Sequence, residues 1–193
     1  MRQLLFFSNN KNKIIEIKKI FNKFNLELLS LNDLSINGEP NESGQTFEEN
    51  AKIKSDYGFN KTGIPCFADD SGICIESLNW KPGVLSKNFL NNFKSNKACF
   101  ESIIKSTKKN SKQIAFFKTS ISLTVKYDQS LIFNGKIDGK ISQQAKGEFG
   151  FGYDPIFIPK NYNKTLAELS TKEKNEISHR SIAVTKLINF LIN

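Results

Sequence analysis

Two long runs of alternating apolar residues, Ile114 to Tyr127 and Leu131 to Ile141, are separated only by Asp128-Gln129-Ser130. Successive strand residues point to opposite faces, so this pattern predicts two long strands joined as an antiparallel hairpin. Segments of helical period lie on both sides of that hairpin in the chain. Ile14, Ile17, Ile20, Phe21 and Phe24 recur at the spacing of one helix face. Thr46-Phe47-Glu48-Glu49 opens a second helix, running to about Phe59, with a capping-box pattern. Ser178 to Leu191 reads as the final helix, with Ser178 as its N-cap. Shorter apolar runs supply further strands: Gln3 to Phe7, Leu26 to Leu31, Cys66 to Ala68 ending at Asp69-Asp70-Ser71-Gly72, Ile73 to Ile75, and Ile156 to Ile158, followed by Leu166 to Leu169. Asn32 to Gly44 reads as a polar, acidic loop, and Asn88 to Lys112 as a connection rich in Lys and Asn with short helices. Helices and strands interspersed around a central hairpin predict an α/β class, a mixed sheet flanked by helices, in one domain spanning 1–193.

Composition narrows the function classes. With 38% hydrophobic residues and 17 Phe, the chain can build a core, which argues against disorder. No apolar run approaches the ~20 residues of a membrane span, and the opening apolar stretch is too short for a signal peptide, so the expectation is a cytoplasmic protein with no membrane partner. Three cysteines without C-x-x-C spacing and a single histidine argue against a Cys/His zinc site and against structural disulfides. The net charge of +9 comes almost wholly from lysine, Arg2 and Arg180 being the only arginines. A positive field attracts polyanions, which permits a nucleotide ligand without indicating one.

Three polar segments follow predicted apolar strands, where ligands of α/β proteins bind. In the first, Ser8-Asn9-Asn10-Lys11-Asn12-Lys13, a helix N-terminus with two lysines offers donors and charge to phosphate, although it lacks the P-loop pattern; the plainer reading is a capped helix start. In the second, Asp69-Asp70-Ser71-Gly72, adjacent acids point to opposite sides. Carboxylates brought together need a cation or donors, and a Mg²⁺ site completed by Glu39 or Glu42 competes with an Asx-type turn. The third joins Phe151-Gly152-Tyr153-Asp154 with Lys174 to Arg180. In so lysine-biased a chain, an arginine beside the single histidine suggests a need for planar, forked donors, against the plainer reading of a structural histidine. A Ser-His-Asp hydrolase is rejected for want of a G-x-S-x-G elbow.

Six segments recur in the order of one known family: Ser8-x-Asn10-x-x-Lys13-x-x-Glu16, Glu42-Ser43-Gly44-x-Thr46-Phe47-x-Glu49-Asn50-Ala51, Ala68-Asp69-Asp70-Ser71-Gly72, Pro82-Gly83-Val84, Phe151-Gly152-Tyr153-Asp154-Pro155-Ile156-Phe157 and Ser178-His179-Arg180. From about Leu5 to Ile188 the chain resembles the inosine triphosphate pyrophosphatases, which clear non-standard purine nucleotides. The resemblance implies a bilobed α/β fold around a long curved mixed β-sheet, with the active-site cleft between lobes. It also implies a cytoplasmic homodimer requiring Mg²⁺ that hydrolyses ITP, dITP and XTP to the monophosphate and pyrophosphate. By position, it assigns Ser8, Asn9, Asn10, Lys11, Asn12 and Lys13 to the triphosphate, and Asp70 to acid/base catalysis and, with Glu42, to the metal. Ser71 would contact substrate, and Phe151, Gly152, Tyr153, Asp154, Lys174, His179 and Arg180 would receive the nucleoside. One departure is visible: where bacterial members commonly read P-G-x-Y-S-A-R, this chain reads Pro82-Gly83-Val84-Leu85-Ser86-Lys87-Asn88, with Lys87 where some eukaryotic-type members place a lysine. The reading from a different class is a non-catalytic nucleotide- or RNA-binding protein using the basic surface. Its signal is poor, because Lys118 and Lys126 flank a strand that is otherwise apolar or Ser/Thr.

Overall fold

The computed structural model describes residues 3–24, 26–36 and 38–193, so Arg2, and Asn37 in the acidic loop, lie outside the described residues. The elements run β1 (Leu5–Phe6), α1 (Lys11–Asn22), β2 (Leu29–Ser30), α2 (Phe47–Thr62), β3 (Cys66–Ile75), β4 (Lys81–Pro82), α3 (Ser86–Asn91), α4 (Asn96–Asn110), β5 (Ile114–Lys126), β6 (Gln129–Ile141), β7 (Phe157–Pro159), α5 (Thr171–Ile177) and α6 (His179–Ile192). The sheet order is β2-β1-β3-β5-β6-β7, with β4 paired to β3. β1 pairs in parallel with β2 and β3, whereas β3–β4 and β6–β7 are antiparallel, so the sheet is mixed as expected for this α/β class.

The chain forms two compact units. The first comprises Met1–Asp70, Thr119–Gly135 and Arg180–Asn193. Alternation along β1 divides its core. Leu4 and Phe6 pack with Phe67, with Ile17, Ile20 and Phe21 of α1, and with Ala183, Val184, Leu187 and Ile188 of α6. Leu5 and Phe7 turn the other way, onto Cys66, Ala68 and, from α2, Tyr57 and Phe59. Phe67 stacks between Phe6 and Phe21, at 4.9 and 5.6 Å between ring centroids. The second unit comprises Ser71–Lys118 and Lys136–His179. Its core gathers Ile73 and Ile75 of β3, Phe100 and Ile103 of α4, Phe117 of β5, Ile141 of β6, and Tyr153, Ile156 and Phe157.

Several expectations need correction. β3 is continuous through Asp69-Asp70-Ser71-Gly72 and does not end there, because neighbouring elements supply counter-charges that let the acids stay in an extended, buried run. β1 and β2 are two-residue strands, shorter than the apolar runs around them. Of the short helices expected over Asn88 to Lys112, α3 is one, but α4 is a helix of 15 residues burying Cys99, Phe100, Ile103, Ile104 and Thr107 and turning its lysines outward. Leu166–Glu168 forms a single 3₁₀ turn. An unanticipated helix, α5, is capped by Ser170 with Glu173 in a capping box and ends at Ile177 with Ser178 as its C-cap, so α6 starts at His179. The capping box at Thr46 and Glu49 forms as the sequence predicts. All three cysteines are free and buried. Among the described residues, no helix is long and apolar enough to cross a membrane.

Candidate active site

Strand alternation gives the two central acids different neighbours. Asp69 shares a face with Phe67, toward α1 and α6, and its Oδ2 meets Lys13 Nζ at 3.0 Å and Arg180 Nε at 3.3 Å. Arg180 Nη1 in turn donates to Glu16 Oε2. Asp70 shares a face with Cys66 and Ala68, toward α2, where Lys54 Nζ lies 3.2 Å from its Oδ1 and Asn50 Nδ2 3.4 Å from its Oδ2. Both acids are buried, at 2% and 6% exposure. Burial alone would raise both carboxyl pKa values; at Asp69, Lys13 and Arg180 outweigh it and hold the group far below the carboxylate range. At Asp70 burial prevails over Lys54 and Lys13, and the carboxyl titrates above its ordinary value. Lys54 also titrates above its ordinary value, since Asp70, Asp69 and Glu42 together outweigh its own desolvation. The shifts agree with the charges: Lys54 answers three carboxylates, and Asp70 shares its lysine with the others.

Glu42, half out in solvent, brings Oε1 within 3.3 Å of the same Lys54 ammonium. Glu39 instead accepts from Asn9 Nδ2 at 2.9 Å, which separates the two loop acids that the sequence left open. Glu42 and Asp70 therefore converge on one cation. Two carboxylates with hard oxygens, completed by water and phosphate oxygens, match the way Mg²⁺ is held. No group of three or more His, Cys, Asp or Glu able to cage a metal exists among the described residues.

The opening turn is a capped helix start. Asn10 Oδ1 accepts from the N–H of Asn12 and Lys13, and Ser8 Oγ accepts from Asn10 N–H. Asn9, Lys11 and Asn12 are exposed and Ser8 is partly buried. Lys13 turns inward to Asp69, and burial lowers its pKa although Asp69 opposes the shift.

In the second unit, Asp154 Oδ2 accepts from Lys174 Nζ at 2.7 Å and from Phe151 N–H at 2.8 Å, and the same ammonium lies 4.8 Å from the centre of the Phe151 ring. Gly150 makes this closure possible: its φ is +79°, and a Cβ there would meet Asp154 Oδ2 at 2.1 Å. Gly152 follows in the same left-handed region. His179 stacks on Phe117, ring centroids 4.7 Å apart and 8° from parallel. Ser71, partly buried, lies on β3 at the start of this unit.

Two expected nucleoside contacts have protein partners of their own. Tyr153 is buried, packs against Phe100, and donates its hydroxyl to Ser86 O at 2.7 Å. Arg180 is buried in the first unit with Asp69 and Glu16 on its guanidinium. Sequence reasoning missed Lys54, Asn50 and Phe117. The first two carried a signal: Phe47, Asn50, Ala51, Lys54, Ser55 and Gly58 form the buried face of α2, so polar and charged residues occupy inward positions.

A model of the Ham1 family matches residues 4–190. A "dITP/XTP pyrophosphatase" of Christiangramia forsetii is 42% identical over 189 residues, covering 98% of each chain. Among solved structures, a HAM1 protein from Coxiella burnetii superposes with a TM-score of 0.88 at 32% identity, covering 100% of this chain and 99% of its own. The Staphylococcus aureus Ham1 protein does so with a TM-score of 0.86 at 34% identity, covering 98% and 97%.

Proposed function

Because this chain belongs to the Ham1 family, we propose that it is a pyrophosphatase of non-standard purine nucleoside triphosphates, hydrolysing ITP, dITP and XTP to the monophosphate and pyrophosphate. The observation that carries the reading is the divided acid pair: Asp69 is locked by Lys13 and Arg180, while Asp70 keeps a raised pKa beside Glu42 and Lys54. Cleavage between the α- and β-phosphates needs positioning and charge neutralisation more than covalent chemistry from the protein. Ser8 to Lys13 hold the polyphosphate, Lys11 and Lys13 contributing charge. Glu42 and Asp70 would hold Mg²⁺, which would neutralise phosphate charge and acidify a water. Asp70, ionised, takes a proton from the attacking water as its oxygen bonds to the α-phosphorus and pyrophosphate leaves with the bridging oxygen.

Base choice rests with the second unit. Hypoxanthine and xanthine carry a 6-keto acceptor where adenine carries an amino donor. Donors from the Phe151–Asp154 loop and from His179 pair with the keto group and are left unpaired against adenine. Unmet buried polar groups cost ~1–3 kcal/mol each, so two give a preference of about thirtyfold or more. Asp154 positions Lys174 and Phe151, Phe117 positions His179, and Ser71 contacts substrate. Arg180, beyond its part at the nucleoside, keeps Asp69 ionised. The same reading carries a cytoplasmic homodimer with neither membrane nor nucleic-acid partner. The test is to follow monophosphate and pyrophosphate from ITP, XTP, dUTP and ATP with and without Mg²⁺. Equimolar release of both products from ITP and XTP, only with Mg²⁺, is expected; binding without hydrolysis, or a preference for ATP or dUTP, would overturn the reading.

A further inference from the structure

α2 carries a third polar group into the carboxylate pair. Asn50, the fourth residue of the helix, is 3% exposed and uses both ends of its carboxamide. Its Oδ1 accepts the backbone N–H of Gly44 at 2.8 Å. A backbone N–H can only donate, so that contact fixes the amide orientation and leaves Nδ2 facing Asp70 Oδ2, at a long 3.4 Å. Gly44 is two residues beyond Glu42, so one buried side chain ties the loop bearing one carboxylate to the strand bearing the other. The identity of residue 44 is dictated by the same contact: a Cβ there would lie 2.7 Å from Asn50 Oδ1 and 2.7 Å from Glu49 Cβ. Its φ is unexceptional, so glycine is required by close approach and not by backbone conformation.

We propose that Asn50 and Gly44 form the device that positions Glu42 against Asp70, so that they set divalent-ion affinity without touching the ion. This rests on the reading of Glu42 and Asp70 as the metal carboxylates. Glu42 is half-exposed on a loop, and the Lys54 ion pair alone does not fix its backbone. With Asn50 in place, the loop is docked before an ion arrives; without it, binding must first order the loop. Groups that orient metal ligands typically change affinity 10- to 100-fold when removed.

The experiment compares wild type with Asn50→Leu, Gly44→Ala, the double variant and Glu42→Gln in two Mg²⁺ titrations, one of ITP turnover and one of melting temperature with Mg²⁺ alone. Both single variants are expected to raise the half-saturating Mg²⁺ concentration about tenfold in both titrations, with turnover recovering as Mg²⁺ is raised. The double variant is expected to match either single variant, because one contact is broken twice. A merely destabilising substitution lowers the melting temperature without moving the Mg²⁺ midpoint. Wild-type midpoints in Asn50→Leu and Gly44→Ala, with a raised midpoint in Glu42→Gln, would overturn the positioning role alone. A wild-type midpoint in Glu42→Gln would overturn the metal assignment beneath it.

Discussion

Asp69→Asn separates the structural acid from the chemical one. In the wild type, Asp69 and Glu16 balance Lys13 and Arg180 in a set where Asp69 and Arg180 side chains are almost fully buried, at 1% and 3% exposure. The substitution keeps the shape and removes one negative charge, leaving a surplus positive charge out of water. Removing one partner of a buried ion pair costs ~3–5 kcal/mol. At about 2–4 °C per kcal/mol for a chain of this size, the melting temperature falls by ~6–20 °C. The exposed pair Lys136–Asp138 provides the control, since Asp138→Asn is expected to move stability by no more than ~1 kcal/mol. The pH dependence has a definite sign. Asp69 is depressed in the folded state, so its stabilisation is complete above the unfolded carboxyl pKa of ~3.9 and is lost as pH falls toward the folded value. Wild type therefore loses stability on acidification below about pH 5, and Asp69→Asn loses less. Differential scanning calorimetry at pH 7 and at about pH 2.5 reads both effects. An Asp69→Asn melting temperature within ~2 °C of wild type at pH 7 would refute the argument.

Two further outcomes concern the second unit. His179→Ala removes the ring stacked on Phe117 and is expected to narrow the ITP-to-ATP ratio of kcat/KM by ~10-fold, the equivalent of one lost buried donor; an unchanged ratio would take His179 out of base selection. Lys174→Met takes the ammonium from Asp154 and from the Phe151 ring, and is expected to cost ~3–5 kcal/mol in urea denaturation; a loss below ~1 kcal/mol would show that the pair is not buried in solution.

What could be read from the sequence was what local chemistry decides. The Thr46 capping box, the hairpin of β5 and β6, and the Asn-capped start of α1 depend on neighbours in the chain, and each formed where the residues predicted it. The Asp69-Asp70 step looked like the end of a strand because two adjacent acids are unfavourable in a buried run. The cations that reverse that judgement come from α1, α2 and α6, and no local pattern connects them. α4 was obscured by lysine and asparagine on its outer face, which dilute the helical period of Cys99, Phe100, Ile103 and Ile104. Lys54 was legible only as a charged residue on an otherwise inward helix face, Asn50 stood in a family segment without a role, and the Glu16 partner of Arg180 lies at the far end of the chain.

The central claim is that Asp70, and not its neighbour, performs the chemistry. It is tested most directly by the turnover of Asp70→Asn on ITP at saturating Mg²⁺, measured on protein that melts as a folded molecule. The account predicts a fall of at least ~100-fold, the contribution expected of a positioned acid/base group. Turnover within a few fold of wild type would contradict it.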